Sequence, residues 1–364
     1  MDECLYWHWL CSMEKLSPVK KTRLLRLYSS PERLYNIEEK QLAALDFLTA
    51  REKKQFFDSR NEEKEFRTTY EQMEKQGIRL ITLADQEYPD RLLHIYGAPC
   101  GLYVKGRLPM PREKSAAIVG ARGCSPYGRE TARRTGMRLA EAGIQVISGM
   151  AAGIDGAAQW GALETGTTFA VLGCGVDQCY PISNFPLYER LSAEGGLLSE
   201  FPPGSKPLSW HFPQRNRLIS GLSDLVVVIE ARKKSGSLIT AEYALDQGKD
   251  VFALPGRVTD PLSEGCHQLI KNGAGLLSAP EDILEVLAPQ WKNPIKKRKE
   301  IENGLVLNEK KVYSCLDYHA RSMEELVEQT GLTVKETAQA LVRLEILGLA
   351  RRAGFSRYTA TTEF

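Results

Sequence analysis

Ala116-Ala117-Ile118-Val119-Gly120-Ala121-Arg122-Gly123-Cys124-Ser125-Pro126-Tyr127-Gly128 is the stretch that decides how this chain folds. An apolar run stops at a glycine turn, and Ser-Pro then opens a helical pattern. That order reads as strand, tight turn, helix. A glycine turn at a strand's carboxyl end presents backbone N–H groups and a helix N-terminus, which together attract anions. Arg122 adds a fork of donors suited to phosphate. Similar apolar runs recur at 146–147, 168–172, 225–229 and 251–254. They are nearly all apolar and rich in β-branched residues, as strands buried on both faces should be. Amphipathic segments at 130–142 and 238–247 lie between them. Strand and helix in alternation predict an α/β fold, a Rossmann-like doubly wound parallel sheet.

The flanks differ in character. Residues 1–75 are rich in Leu, Lys, Arg and Glu, and apolar residues recur there at helical spacing, as in Leu24, Leu25 and Tyr28. They predict a small helical N-terminal domain of helix-hairpin-helix or SAM type. It lacks the Gly-x-Gly hairpin that lets a backbone approach phosphate. The Rossmann-like domain with its lead-in is expected over 76–288 and a basic linker over 289–304. Over 305–364, Ser322 caps a helix with Glu325 in the capping-box position, Gly331 ends it, Thr333 starts a longer one, and an extended segment turns at Gly354. Helix, turn, helix and β-wing is the order of a winged-helix domain.

Five loops of the α/β domain carry the chemistry. The second and third are 148–156 and Gly173-Cys174-Gly175, whose small residues allow close approach. The fourth, Trp210-His211-Phe212-Pro213-Gln214-Arg215-Asn216-Arg217, combines aromatic rings that can stack bases with guanidinium groups that can hold phosphates. The fifth, Ser235-Gly236-Ser237-Leu238-Ile239-Thr240, offers hydroxyls and N–H groups at a strand-to-helix junction. Read as loops at the carboxyl ends of parallel strands, all five should converge by topology on one edge of the sheet, where open α/β sheets bind ligands. Gly-x-Gly-x-x-Gly and Gly-x-x-x-x-Gly-Lys-Ser/Thr are both absent, which argues against a dinucleotide site and a P-loop.

These segments, with Tyr180-Pro181, Glu230-Ala231 and Leu254-Pro255-Gly256, resemble the DNA-processing protein A (DprA/Smf) family in order and spacing over about 180 residues. The resemblance implies a homodimeric single-stranded DNA binder. Such a protein protects incoming strands and helps load RecA recombinase during natural transformation. Carried over, it puts Arg122, Arg215 and Arg217 on phosphates, with Gly120, Phe212, Asn216, Ser235, Gly236, Ser237 and Thr240 in the same site. Four positions depart from the family: Ala121 stands for a common Ser, Gln159 for a common His, Ile182 for a basic residue and Ser209 for a Lys. Lys206 is the nearby basic residue that could substitute for the last.

The formal net charge of +2 argues weakly against a nucleic-acid partner, although it can conceal a local basic groove. Eight cysteines without a Cys-x-x-Cys pair, and five scattered histidines, predict no metal site and reduced thiols in the cytoplasm. No run of about 18 apolar residues predicts a membrane span. No cofactor and no catalytic residue are expected. The competing reading is a nucleoside-monophosphate hydrolase on a related Rossmann fold. Glu242 stands two residues after Thr240, but Ser-Gly-Ser replaces that enzyme's glycine-rich loop, and Asp155, Glu200 and Glu230 are the other possible bases. A purely double-stranded DNA regulator, resting on the winged helix, is a third reading.

Overall fold

The computed structural model describes residues 2–290, 304–316, 320–347, 349–352 and 356–360. They fall into two compact units, Met1–Pro289 and Gln290–Phe364.

In the first unit, among the described residues, nine strands form one sheet: β1 (Ile78–Thr82), β2 (Gly101–Gly106), β3 (Ser115–Gly120), β4 (Gln145–Ser148), β5 (Thr168–Val171), β6 (Gly196–Ser199), β7 (Leu225–Ile229), β8 (Asp250–Ala253) and β9 (Gly275–Leu276). Their spatial order is β1-β2-β6-β5-β4-β3-β7-β8-β9. The seven strands from β6 to β9 in that order run parallel, and β1 and β2 close one edge antiparallel. The chain steps outward from β3 to β6, then returns to lay β7 against the free side of β3, with Gly120 opposite Ile229. That reversal makes a switch point between β3 and β7, and the crevice outside the carboxyl ends of the strands there is where such sheets bind ligands. Along β5 the side chains alternate between two cores: Phe169 and Val171 join one, Ala170 the other. The sheet is therefore covered on both faces, as its predicted strands required.

Among the described residues, six α-helices precede the sheet: α1 (Glu3–Ser12), α2 (Pro18–Tyr28), α3 (Pro31–Tyr35), α4 (Glu39–Ala43), α5 (Ala50–Asp58) and α6 (Glu63–Lys75). Ser17 and Ser30 cap α2 and α3, each followed by proline at the first helical position, where its missing N–H has no cost. Trp9, Leu24, Leu34 and Phe56 from these helices share a core with Tyr103, Met150 and Leu172 of the sheet region. Polar contacts cross the same boundary. His8 Nδ1 lies 3.0 Å from the Tyr103 hydroxyl, and Cys11 Sγ lies 3.5 Å from Cys100 Sγ. The helical segment thus folds as part of the sheet's own unit.

The remaining helices of this unit are α7 (Asp90–Leu93), α8 (Pro126–Glu141), α9 (Ile154–Thr165), α10 (Phe185–Glu194), α11 (His211–Leu222), α12 (Gly236–Asp246), α13 (Glu264–Lys271) and α14 (Glu281–Leu287).

The second unit has helices Leu307–Ser314, Met323–Thr330 and Val334–Ile346, with an antiparallel sheet of Arg321–Ser322, Arg357–Ala360 and Ala350–Arg352 in that order. Ser322 and Thr333 form capping boxes with Glu325 and Glu336, and Gly331 ends the middle helix in the left-handed region at φ 68°. This is the winged-helix arrangement. The predicted turn at Gly354, and residues 291–303 of the expected linker, lie outside the described residues. Among the described residues, no helix is long and apolar enough to cross a membrane.

Candidate functional site

The loops after β3, β4, β5, β6 and β7 all reach one cleft of about 530 Å³ at the sheet's carboxyl edge. Gly120 and Arg122 come from the first, Asp155 from the second connection and Tyr180 from the third. Phe212, Arg215 and Asn216 come from the fourth, and Ser235, Gly236, Ser237 and Thr240 from the fifth. Lys206 is exposed on the loop before α11 and does not line the cleft; neither does Arg217.

Close backbone approach shapes the cleft floor. A Cβ on Gly120 would collide with the Ile229 carbonyl across the β3–β7 pair. Gly120→Ala should therefore part the two central strands and cost about 1–3 kcal/mol, read as a lower thermal midpoint. Met150 and Glu230, at the carboxyl ends of β4 and β7, both hold φ at 54°, a region costly for side chains with a Cβ. Glu230 is held by what it bonds. Its carboxylate accepts the Ser125 N–H at 2.8 Å and the Ser125 hydroxyl, at the start of α8. The sequence reading left that helix N-terminus open to a ligand anion; an internal carboxylate fills it. The start of α12 is different. Ser235 caps it, Asn216 Nδ2 donates to the Gly236 carbonyl at 3.1 Å, and the space beside Gly236 is open.

The three arginines divide. Arg122 is exposed, and its guanidinium lies 5.0 Å from the centre of the half-buried Phe212 ring, a cation–π distance. Tyr180 adds a second ring 5.4 Å from that of Phe212. Arg215 is only 4% exposed. It donates from Nη1 to the carbonyls of Gly149 (2.9 Å) and Val171, and from Nε to Asn216 Oδ1 at 3.2 Å. Burial pushes its guanidinium down to about 10, against the opposing charge of Asp155. Burial likewise raises Asp155, which accepts the Gly149 N–H at 3.1 Å. A Cβ on Gly149 would sit 2.5 Å from the guanidinium, so that glycine makes room for the arginine. Arg217 is 6% exposed and pairs with Glu200 at 2.5 Å. Of the three arginines expected on phosphate, the fold brings Arg122 and Arg215 to the cleft and leaves Arg217 outside its lining. The reason is helical: positions two apart on α11 do not share a face, so Arg215 and Arg217 cannot point the same way.

Asn216 and Thr240 are almost fully buried in the cleft wall, and Ser235 is half-buried. Gln159 is also buried; its amide accepts the Met150 N–H and donates to the Phe169 carbonyl, both at 3.1 Å. It therefore ties the end of β4 to β5. Tyr180, which follows the strand β5 and precedes a cis proline, escaped the sequence list of site residues. Its signal was the Tyr-Pro pair; its proximity to Phe212 is a tertiary fact. Among the described residues, no group of three or more His, Cys, Asp or Glu is placed to hold a metal.

Comparison with known proteins gives consistent matches. The family model for DNA recombination-mediator protein A matches residues 79–288, and that for the DprA winged helix domain matches 299–354. DNA processing protein DprA of Streptococcus pneumoniae is 43% identical over 212 residues, which cover 58% of this chain and 75% of that protein. Protein Smf of a Synechocystis strain is 31% identical, with 98% of each chain covered. The X-ray structure of DprA from Streptococcus pneumoniae superposes with a TM-score of 0.67 at 34% identity, covering 77% of this chain and 96% of that one. The DNA processing protein A from Helicobacter pylori, a structure described for its single-stranded DNA binding mode, gives 0.53 at 29% identity, covering 59% and 98%.

Proposed function

Since the chain belongs to the DNA recombination-mediator protein A (DprA/Smf) family, we propose that its cleft binds single-stranded DNA, without covalent chemistry on the strand. The observation that carries this reading is the pairing of exposed Arg122 with the Phe212 and Tyr180 rings over a polar cleft. A guanidinium that holds phosphate beside rings that stack bases is the working combination of single-strand binders. The Helicobacter relative's single-stranded DNA binding supports the same ligand. The groups offered are backbone N–H, hydroxyl and guanidinium, which read phosphate and not base order. Affinity for a single strand should therefore be largely sequence-independent, exceed that for a matched duplex, and fall with salt by about 0.7 in log–log slope per phosphate held. A gel shift or fluorescence anisotropy titration across salt concentrations tests this; equal affinity for the duplex would refute it.

The hydrolase reading fares less well. Glu242 is exposed and lines a different depression from the cleft that holds Ser235 and Thr240. Purified protein with magnesium should leave labelled DNA and mononucleotides intact; hydrolysis that disappears in Glu242→Gln would reverse the reading. In the cell we place the protein in the cytoplasm as a homodimer that protects incoming strands and hands them to RecA in transformation. Added protein should then speed RecA assembly on strands covered by single-strand-binding protein, and no acceleration with RecA from the same organism would count against the handover.

A further inference from the structure

A second depression opens on the same carboxyl edge, and we propose that it is a nucleobase station for the strand held in the cleft, so that it rests on the single-strand reading above. Its volume is about 580 Å³, and Ser125, Tyr127, Glu230, Gly256, Arg257 and Asp260 line it. The loop between β3 and α8 serves both places, giving Arg122 to the cleft and Ser125 to the depression. Ser125 follows Arg122 by three positions, so their Cα atoms lie within about 11 Å. A strand leaving the cleft over Arg122 meets the depression within a few nucleotides.

The lining sorts itself by chemistry. Tyr127 is 59% exposed, an aromatic ring with no role in the core. Arg257 is exposed at the lip. The interior instead offers acceptors. Glu230 is buried against Ser125, and Asp260 Oδ1 accepts the Leu262 N–H at 2.9 Å, while its second oxygen has no hydrogen bond among the described residues. Two carboxylates exclude a phosphate from the interior. Glu230 is engaged with Ser125, so the second oxygen of Asp260 is the acceptor that suits the amino groups on the edges of adenine, cytosine and guanine, which thymine lacks. The geometry that follows is a base stacked on Tyr127, its amino group toward Asp260, and its phosphate outside on Arg257. Stacking on an exposed ring and a charge-assisted phosphate contact are each sequence-tolerant, so the acceptor interior adds a preference that the cleft alone does not have.

The test uses the full chain, a trinucleotide that fills the cleft alone, and oligo-dC and oligo-dT long enough to reach both stations. Tyr127→Ala should weaken the long oligo-dC by between about fivefold and about a hundredfold, the range for one stacked base. It should leave the trinucleotide unchanged, with circular dichroism confirming an unaltered fold. The unsubstituted protein should prefer oligo-dC to oligo-dT, and Asp260→Asn, which keeps the acceptor to Leu262 N–H, should erase that preference. Unchanged affinity of Tyr127→Ala for the long strand, or no preference between dC and dT, overturns the station. Arg122→Ala keeps the two readings apart: if it weakens both lengths while Tyr127→Ala weakens neither, the cleft stands and the station falls.

Discussion

Arg217→Ala is expected to destabilise the Met1–Pro289 unit by about 3–5 kcal/mol, because it strands a buried carboxylate. Glu200 and Arg217 side chains are 9% and 7% exposed and meet at 2.5 Å, with Gln214 Nε2 donating to the same Glu200 oxygen at 3.3 Å. Removing the guanidinium leaves Glu200 without its counter-charge in a place water reaches poorly. The loss should appear as a lower urea midpoint with an unchanged slope, the mark of altered stability without altered compactness. Glu200→Leu combined with Arg217→Met should recover much of it, since apolar groups of similar volume often replace a buried ion pair at little cost. DNA affinity per folded molecule should change little. An Arg217→Ala protein that melts like the parent but binds with a flatter salt slope would put this guanidinium on phosphate.

Arg122→Ala is expected to do the reverse: full stability, poor binding. Its side chain is exposed and lies over the face of Phe212, so little buried surface is lost. A hydrogen bond to a charged group contributes about 1.5–3 kcal/mol, and single-strand affinity should fall by that amount. The log–log salt slope should flatten by about 0.7 for the one phosphate given up. Arg122→Lys separates charge from shape. It keeps the cation, and with it the slope, but loses the planar fork and its stacking on Phe212, so only part of the affinity should remain. If Arg122→Ala binds with the parent's affinity and slope, the cleft does not hold the strand by this residue.

Local pattern alone determined a good deal of this protein. The apolar runs from 116 to 254 became β3, β4, β5, β7 and β8, because a strand buried on both faces admits few polar residues and announces itself. The Ser-Pro start of α8, the capping box at Ser322 and the helix start at Thr333 were legible because a cap lies within four residues of what it caps. Alternation of strand and helix also foretold that five loops would meet at one edge, since parallel strands point their carboxyl ends the same way.

Other features were settled only in three dimensions. β1, β2, β6 and β9 were not read from their sequences. Gly101–Gly106 and Gly196–Ser199 begin with glycine, and Gly275–Leu276 has two residues, so they are strands because a neighbour pairs with them. Composition could not say which guanidinium faces solvent. Arg122, Arg215 and Arg217 are chemically alike, but one caps a ring at the surface, one reaches the carbonyls that end β4 and β5, and one neutralises a glutamate 17 residues away. Each role depends on a partner distant in the chain, and a partner's position is a property of the packed fold. The same holds for Glu230, whose carboxylate takes the helix N-terminus that the sequence offered to a ligand. Short-range rules govern elements and caps; burial and pairing across the sheet govern which polar groups remain for a ligand.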